Sequence, residues 1–106
     1  MDLNQYLPKH GKEEWFMNLV LPIGSVVKVK GNAKLLMIFG FLQTHPARPN
    51  VIFDYIGVPY PEGNLDLRAH VGFQRTDIEE VVYKGYENEE FEKIKILMKI
   101  NEKTEK

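Results

Sequence analysis

The chain has 106 residues, 43% of them hydrophobic and 27% charged, which suits one soluble domain able to bury a core. Fourteen Lys and Arg against fifteen Asp and Glu leave a net charge of -1, so no global field draws the chain toward nucleic acid or an anionic membrane. With no cysteine, disulfides, thiolate chemistry and cysteine-ligated metal are excluded.

The first residues, MDLNQYLPKHGKEEW, hold early acid and polar groups and no continuous apolar core, unlike a signal peptide. No apolar run approaches the roughly 20 residues that cross a bilayer. A cytoplasmic, single-domain protein is expected over 1–106. It divides into a loose arm at 1–12, a sheet core at 21–87, a C-terminal helix at 88–101 and a frayed tail at 102–106.

Pro8 and Gly11 sit in the arm, which has little periodicity. Glu13 to Leu21 (EEWFMNLVL) predicts a short helix with acids at its positive end. Trp15 and Leu19 would share one face, and Phe16 and Val20 another. Pro22 ends it, because proline holds the preceding residue extended. Gly24 to Lys30 alternates, with Val27 and Val29 on one side and Lys28 and Lys30 on the other, as a half-buried strand does. Gly31-Asn32 predicts a hairpin turn. Leu35 to Gln43 is apolar on both faces and predicts a covered central strand, with Gly40 marking a bulge or a close backbone approach. Thr44 to Asn50, with Pro46 and Pro49, predicts a loop.

Val51 to Tyr60 predicts the returning strand, apolar on both faces except at Asp54. Pro59-Tyr60-Pro61-Glu62-Gly63-Asn64 then turns the chain. Ala69 to Gln74 predicts an edge strand with Val71 and Phe73 inward. Thr76-Asp77-Ile78-Glu79 has capping-box spacing for one helical turn. Val81 to Tyr86 predicts the last strand, and Asn88 caps a helix from about Glu89 to Ile100. The fold class is α+β: a five-stranded antiparallel meander or partly open barrel, with a short N-terminal helix and a C-terminal helix.

No catalytic, cofactor or metal constellation emerges from the residues. His10, His45 and His70 lie far apart with no ligand spacing. Ser25, the one serine, stands at a strand start and not at a strand-turn-helix elbow. Asp54 has apolar neighbours, so a desolvated acid or base there is one reading. The other is a pair with a loop arginine, a backbone donor or solvent. Lys28, Lys30, Lys34 and Arg48 suggest a basic single-strand-binding face, offset by the acids of Asp77–Glu80 and Glu87–Glu92. Neither GxGxxG nor GxxxxGK occurs.

The C-terminal helix carries the sharper signal. Phe91, Ile94, Leu97 and Met98 line one side at 100° per residue, while Ile96 and Ile100 fall toward the other. That sector is wider than one docking face needs. Part of it is either core or a surface for another chain. Tyr60, held between Pro59 and Pro61, suits a rigid recognition anchor or a plug on its own core. Tyr60, Pro61, Ile96 and Ile100 are therefore the candidate protein-binding residues.

The order LPIGSVVKVKG, KLLMIFGFLQ, FDYIGVPYPEGN and DIEEVVYKGYENEE resembles domain-of-unknown-function family 4176 of Gram-positive bacteria, over about Leu21 to Glu90. The PIGSVV, DYxGVPYPEG and DIEEVVxxGY segments carry the likeness. The family has no established enzymatic activity. Its members are typically encoded beside type VII secretion genes and LXG-type toxins, where they are thought to act as cytoplasmic chaperones or adaptors. The resemblance implies a non-enzymatic adaptor or chaperone with a protein partner and no cofactor, nucleic acid or membrane. A small barrel-like nucleic-acid-binding module and an enzyme centred on Asp54 are the alternatives.

Overall fold

A computed structural model describes residues 20–104, with side chains as far as residue 101. It contains β1 (Val26–Val29), β2 (Leu36–His45), β3 (Arg48–Pro59), β4 (Val71–Phe73), β5 (Ile78–Tyr83) and a C-terminal helix, α1 (Phe91–Thr104). Two 3-10 turns, Leu67–Ala69 and Arg75–Asp77, flank β4. The loose arm at 1–12 lies outside the described residues. So does the expected helix at Glu13–Leu21, apart from Val20 and Leu21, which are buried without regular structure.

The five strands form one open antiparallel sheet in the order β4-β3-β2-β1-β5. The meander runs only through β1 to β4. The fifth strand crosses back and pairs with β1, so β4 and β5 are the edges and no barrel closes. β5 needs that position because Val81 and Ile78 stand opposite Val27 and Val29 on the core side.

Several boundaries differ from the sequence expectation for physical reasons. Thr44 to Asn50 is not a loop: His45 pairs with Arg48, and only Pro46-Ala47 turns the chain. Pro49 is tolerated there because β4 pairs with β3 only at Tyr55, Ile56 and Gly57, leaving one side of Pro49 without a ladder partner to serve. Gly31, at φ +83°, turns the chain within a longer β1–β2 connection and not a two-residue hairpin. The turn before β5 is capped by Asp77, whose carboxylate accepts from the Gln74 N–H at 3.0 Å, and not by the Thr76–Glu79 spacing. β5 consequently starts at Ile78, three residues early. α1 continues through the supposed tail to Thr104.

Antiparallel partners share a face, and the register assembles the core from them. Val27, Leu36, Ile38, Tyr55, Phe73 and Ile78 are buried on the side that α1 covers through Phe91 and Met98. An extra residue in β2 around Phe39 lets both Ile38 and Phe41 face that core, opposite Gly57 and Tyr55. Leu42 takes φ +50° just beyond it, a conformation that costs a non-glycine residue on the order of 1 kcal/mol. Gly57 is closely packed: a Cβ there would stand 3.0 Å from the Phe73 ring and 3.3 Å from Leu36 Cβ, so a larger residue would press on both.

Two hydrogen bonds fix the chain ahead of β1. The Tyr55 hydroxyl, fully buried, accepts from the Leu21 N–H at 3.0 Å. The Ser25 hydroxyl, also buried, accepts from the Gly85 N–H at 3.0 Å. Gly85 passes so close to Ile23–Ser25 that a Cβ would lie 2.4 Å from the Ile23 carbonyl oxygen. The segments that carry the family likeness are thus drawn together: Leu21, directly ahead of PIGSVV, is tied to DYxGVPYPEG through Tyr55, and Ser25 within PIGSVV is tied to DIEEVVxxGY through Gly85.

Tyr55→Phe strips the acceptor from a buried N–H and is expected to cost about 1–3 kcal/mol in urea unfolding. Burial also pushes the Tyr55 phenol up to about 12, despite the Leu21 hydrogen bond. A phenol raised above its ordinary value near 10 stabilises the fold fully below that value and ceases to as pH climbs through 12. The wild-type protein should lose stability over that alkaline window, and Tyr55→Phe should lack this component. Equal alkaline profiles would contradict the assignment.

Candidate protein-binding surface

α1 starts where Asn88 places its side-chain oxygen 3.2 Å from the Phe91 N–H, a local N-cap. Phe91 and Met98 enter the core, and Ile94 packs at its margin. Leu97, which shares a side with them in the sequence pattern, does not join them in the core. It lies about 100° around the helix from Met98 and is half exposed. Ile96 and Ile100 point farther out, at 58% and 54% exposure. The outward side of this short helix thus carries three large aliphatic side chains.

Leu97 also lines an open groove of about 610 Å³ between α1 and the chain around Pro22, Ile23 and Tyr86, with Phe41, Phe91 and Ile94 in its floor and walls. Ile23 is 47% exposed and Tyr86 82%. Asn88, Glu90 and Lys93 supply the polar rim. Sequence reasoning missed this groove, because Ile23 falls between the expected helix and the first strand and Tyr86 read as the end of the last strand. The one available signal was an aromatic, Tyr86, directly after a glycine and ahead of four acids.

A charge network braces the groove's α1 side. Glu87 bonds Lys84 at 2.8 Å and Lys95 at 3.5 Å, and Lys95 also reaches Glu92 at 3.1 Å. The Lys95 ammonium stands 5.5 Å from the Phe91 ring centre, a cation–π contact. Partial burial works against charge on Glu87, but the Lys84 hydrogen bond and the two ammonium groups outweigh it and hold the carboxyl below its ordinary range. Partial burial likewise opposes the Lys95 charge, and the Glu92 and Glu87 carboxylates override it and raise the ammonium.

The other candidate residues fall elsewhere. Tyr60 follows β3, donates its N–H to the Leu35 carbonyl at 2.9 Å and is 49% exposed. The Tyr60-Pro61 peptide is cis. Neither residue lines the groove, nor do Ile96 and Ile100. Asp54 accepts from the Arg75 N–H at 2.8 Å, with the buried Arg75 guanidinium 3.9 Å away. Gln74 completes this tie by accepting from the Asp54 N–H and donating to the Ile52 carbonyl. The loop-arginine and backbone-donor reading of Asp54 thus describes its surroundings, and its carboxylate pins the turn between β4 and β5.

The basic residues do not converge. Lys28 faces Glu80 across β1 and β5, Lys34 pairs with Glu62, and Arg48 sits at the far hairpin tip. No group of three or more His, Asp or Glu with metal-site geometry occurs among the described residues. None of their helices is long and apolar enough to cross a membrane.

Two measurements check this electrostatic picture. A carboxyl held below its unfolded value stabilises above that value and stops doing so as pH falls through the folded one. Glu87→Gln should therefore flatten the acid limb of stability below about pH 5, read by urea midpoints. Asp54→Ala should cost about 1–3 kcal/mol, since it removes the acceptor of the Arg75 N–H and an ion-pair contact of the Arg75 guanidinium. Asp54→Asn, which keeps an acceptor, should cost less.

No curated protein and no solved structure matches the chain. The sequence profile of one family matches residues 20–94, from the buried Val20 to Ile94 in α1, so that Ile96, Leu97 and Ile100 lie beyond the match. Since that match spans well over half of its length, the chain belongs to the DUF4176 family, a domain of unknown function.

Proposed function

We propose that this protein is a non-enzymatic adaptor or chaperone that binds an LXG-type toxin of a type VII secretion system in the cytoplasm before export. The observation that carries the reading is the outward apolar side of α1. Ile96, Leu97 and Ile100 leave three aliphatic side chains in water on one short helix, where a monomeric surface helix ordinarily presents charge. Leu97 joins that side to the groove lined by Ile23 and Tyr86. Together they offer a ridge and an adjacent furrow, the shape on which a second helix packs.

The surroundings of Asp54 fit the non-enzymatic part of the reading, because its carboxylate is occupied in holding Arg75 and the Arg75 backbone. Tyr60 and Pro61 supply a separate exposed aromatic corner, a second contact for a long partner. The toxin partner itself comes from the family resemblance.

Co-expression with an LXG-type toxin from the same bacterium should yield a complex that survives purification. Ile96→Glu with Ile100→Glu should weaken it by about 10- to 100-fold and leave the urea midpoint nearly unchanged, as surface substitutions do. Failure of the two folded wild-type proteins to associate would contradict the reading. Unfolding of the double variant would place those isoleucines in the core.

A further inference from the structure

The exposed side chains of α1 form one row. Lys93, Ile96, Leu97 and Ile100 follow at three- and four-residue steps, which keeps them on one side of the helix, and all four are exposed. Glu89 and Glu90 stand in the turn leading into α1, where the Glu92 and Lys93 N–H groups bond back to their carbonyls at 3.2 and 3.1 Å. The row is thus acidic at its start, basic at Lys93 and aliphatic beyond. Glu87, Glu92 and Lys95 are tied to one another within the chain. Glu89, Glu90 and Lys93 are exposed and form no ion pair among the described residues. Glu90 and Lys93 flank the same furrow that Ile23, Tyr86 and Leu97 line.

We propose that this face binds a second copy of the same chain, with the two α1 helices antiparallel about a two-fold axis. An isologous contact needs a surface complementary to itself, and here ridge, furrow and both signs of charge lie side by side. An axis beside the first turn of α1 brings Lys93 of one protomer to Glu89 of its partner. Symmetry makes the reverse contact as well, so the pair forms twice. The same reversal lays the Ile96–Ile100 ridge of each protomer along the furrow of the other, against Tyr86 and Ile23. Parallel helices would instead set Glu89 against Glu89 and Lys93 against Lys93.

The size of the patch sets the strength of the pair. Ile23, Tyr86, Ile96, Leu97 and Ile100 are each close to half exposed or more. Together they offer on the order of 500 Å² a copy, below the roughly 800 Å² that each partner gives to a standard interface. The dimer is therefore weak and exchanging, and it fills at high micromolar protein. It goes beyond the adaptor reading, since it needs no toxin. It covers the aliphatic side of α1 in the isolated protein and yields that side to a tighter partner.

Sedimentation equilibrium of the full chain, from micromolar protein to about 1 mM, tests this. The apparent mass should climb from the 12.4 kDa of one chain toward twice that value. Ile96→Glu with Ile100→Glu should hold it at one chain. Lys93→Glu should raise the dissociation constant about tenfold, because it turns two exposed ion pairs into like-charge contacts. Adding Glu89→Lys to Lys93→Glu should recover most of that loss, which a variant that merely harmed the fold would not show. Urea midpoints close to wild type in all variants separate the two effects. A mass that stays at one chain throughout would overturn the proposal. So would self-association that these variants leave unchanged, as pairing through the β5 edge would be, or a Lys93→Glu loss that Glu89→Lys does not recover. Absence of a toxin complex bears on the adaptor reading alone.

Discussion

The structure depends on how the chain ahead of β1 is captured. Leu21 and Val20 belong to no strand or helix, yet both are buried, and a buried backbone N–H demands a partner. The Tyr55 hydroxyl is that partner for Leu21. With Leu21 held over the middle of β3, Pro22 and Ile23 are delivered to the start of α1, and Ser25 meets Gly85. From that point β5 is committed to the edge beside β1, and the β5–α1 connection is committed to the groove wall. The position of Tyr86, Asn88 and the first turn of α1 follows from it.

Apolar surface is distributed unevenly by the same constraint. The side of α1 bearing Phe91 and Met98 is consumed by the sheet, and a sheet of this width cannot also receive Leu97, Ile96 and Ile100. Polar edges are protected: β5 presents Glu79 and Glu80 and carries two register shifts against β1, both of which discourage edge pairing. Val82 and Tyr83 at the end of β5 remain exposed as well, and the aliphatic groups on α1 are the surface we propose for association.

Much of the fold was legible in the sequence, and the losses have identifiable causes. The alternation of Val27 and Val29, the two-sided apolar run of β2, the bulge near Gly40, the edge position of Val71 and Phe73, and the Asn88 cap are all local patterns, and local patterns are what periodicity reports. The crossing of β5 to the far edge is not local. It is decided by Ser25 meeting Gly85 sixty residues away. Pro46 and Pro49 suggested a loop because the sequence does not reveal that β4 is too short to reach them. Leu97 shared a side with Phe91, Ile94 and Met98 in the sequence pattern, and a stripe drawn at 100° per residue has no sharp border to say which of them the sheet covers. At the candidate surface, Ile96 and Ile100 were visible as surplus apolar residues, whereas the groove beside them exists only once Ile23 and Tyr86 are folded against the helix.

The central claim is that the outward side of α1 and its adjoining groove form the protein's interface. Hydrogen–deuterium exchange of the chain with and without the proposed LXG-type toxin partner locates the contact directly. The account predicts added protection concentrated from Tyr86 through Ile100, together with Pro22–Ile23. Protection absent there and confined to the Lys28–Lys34 side of the sheet would contradict it.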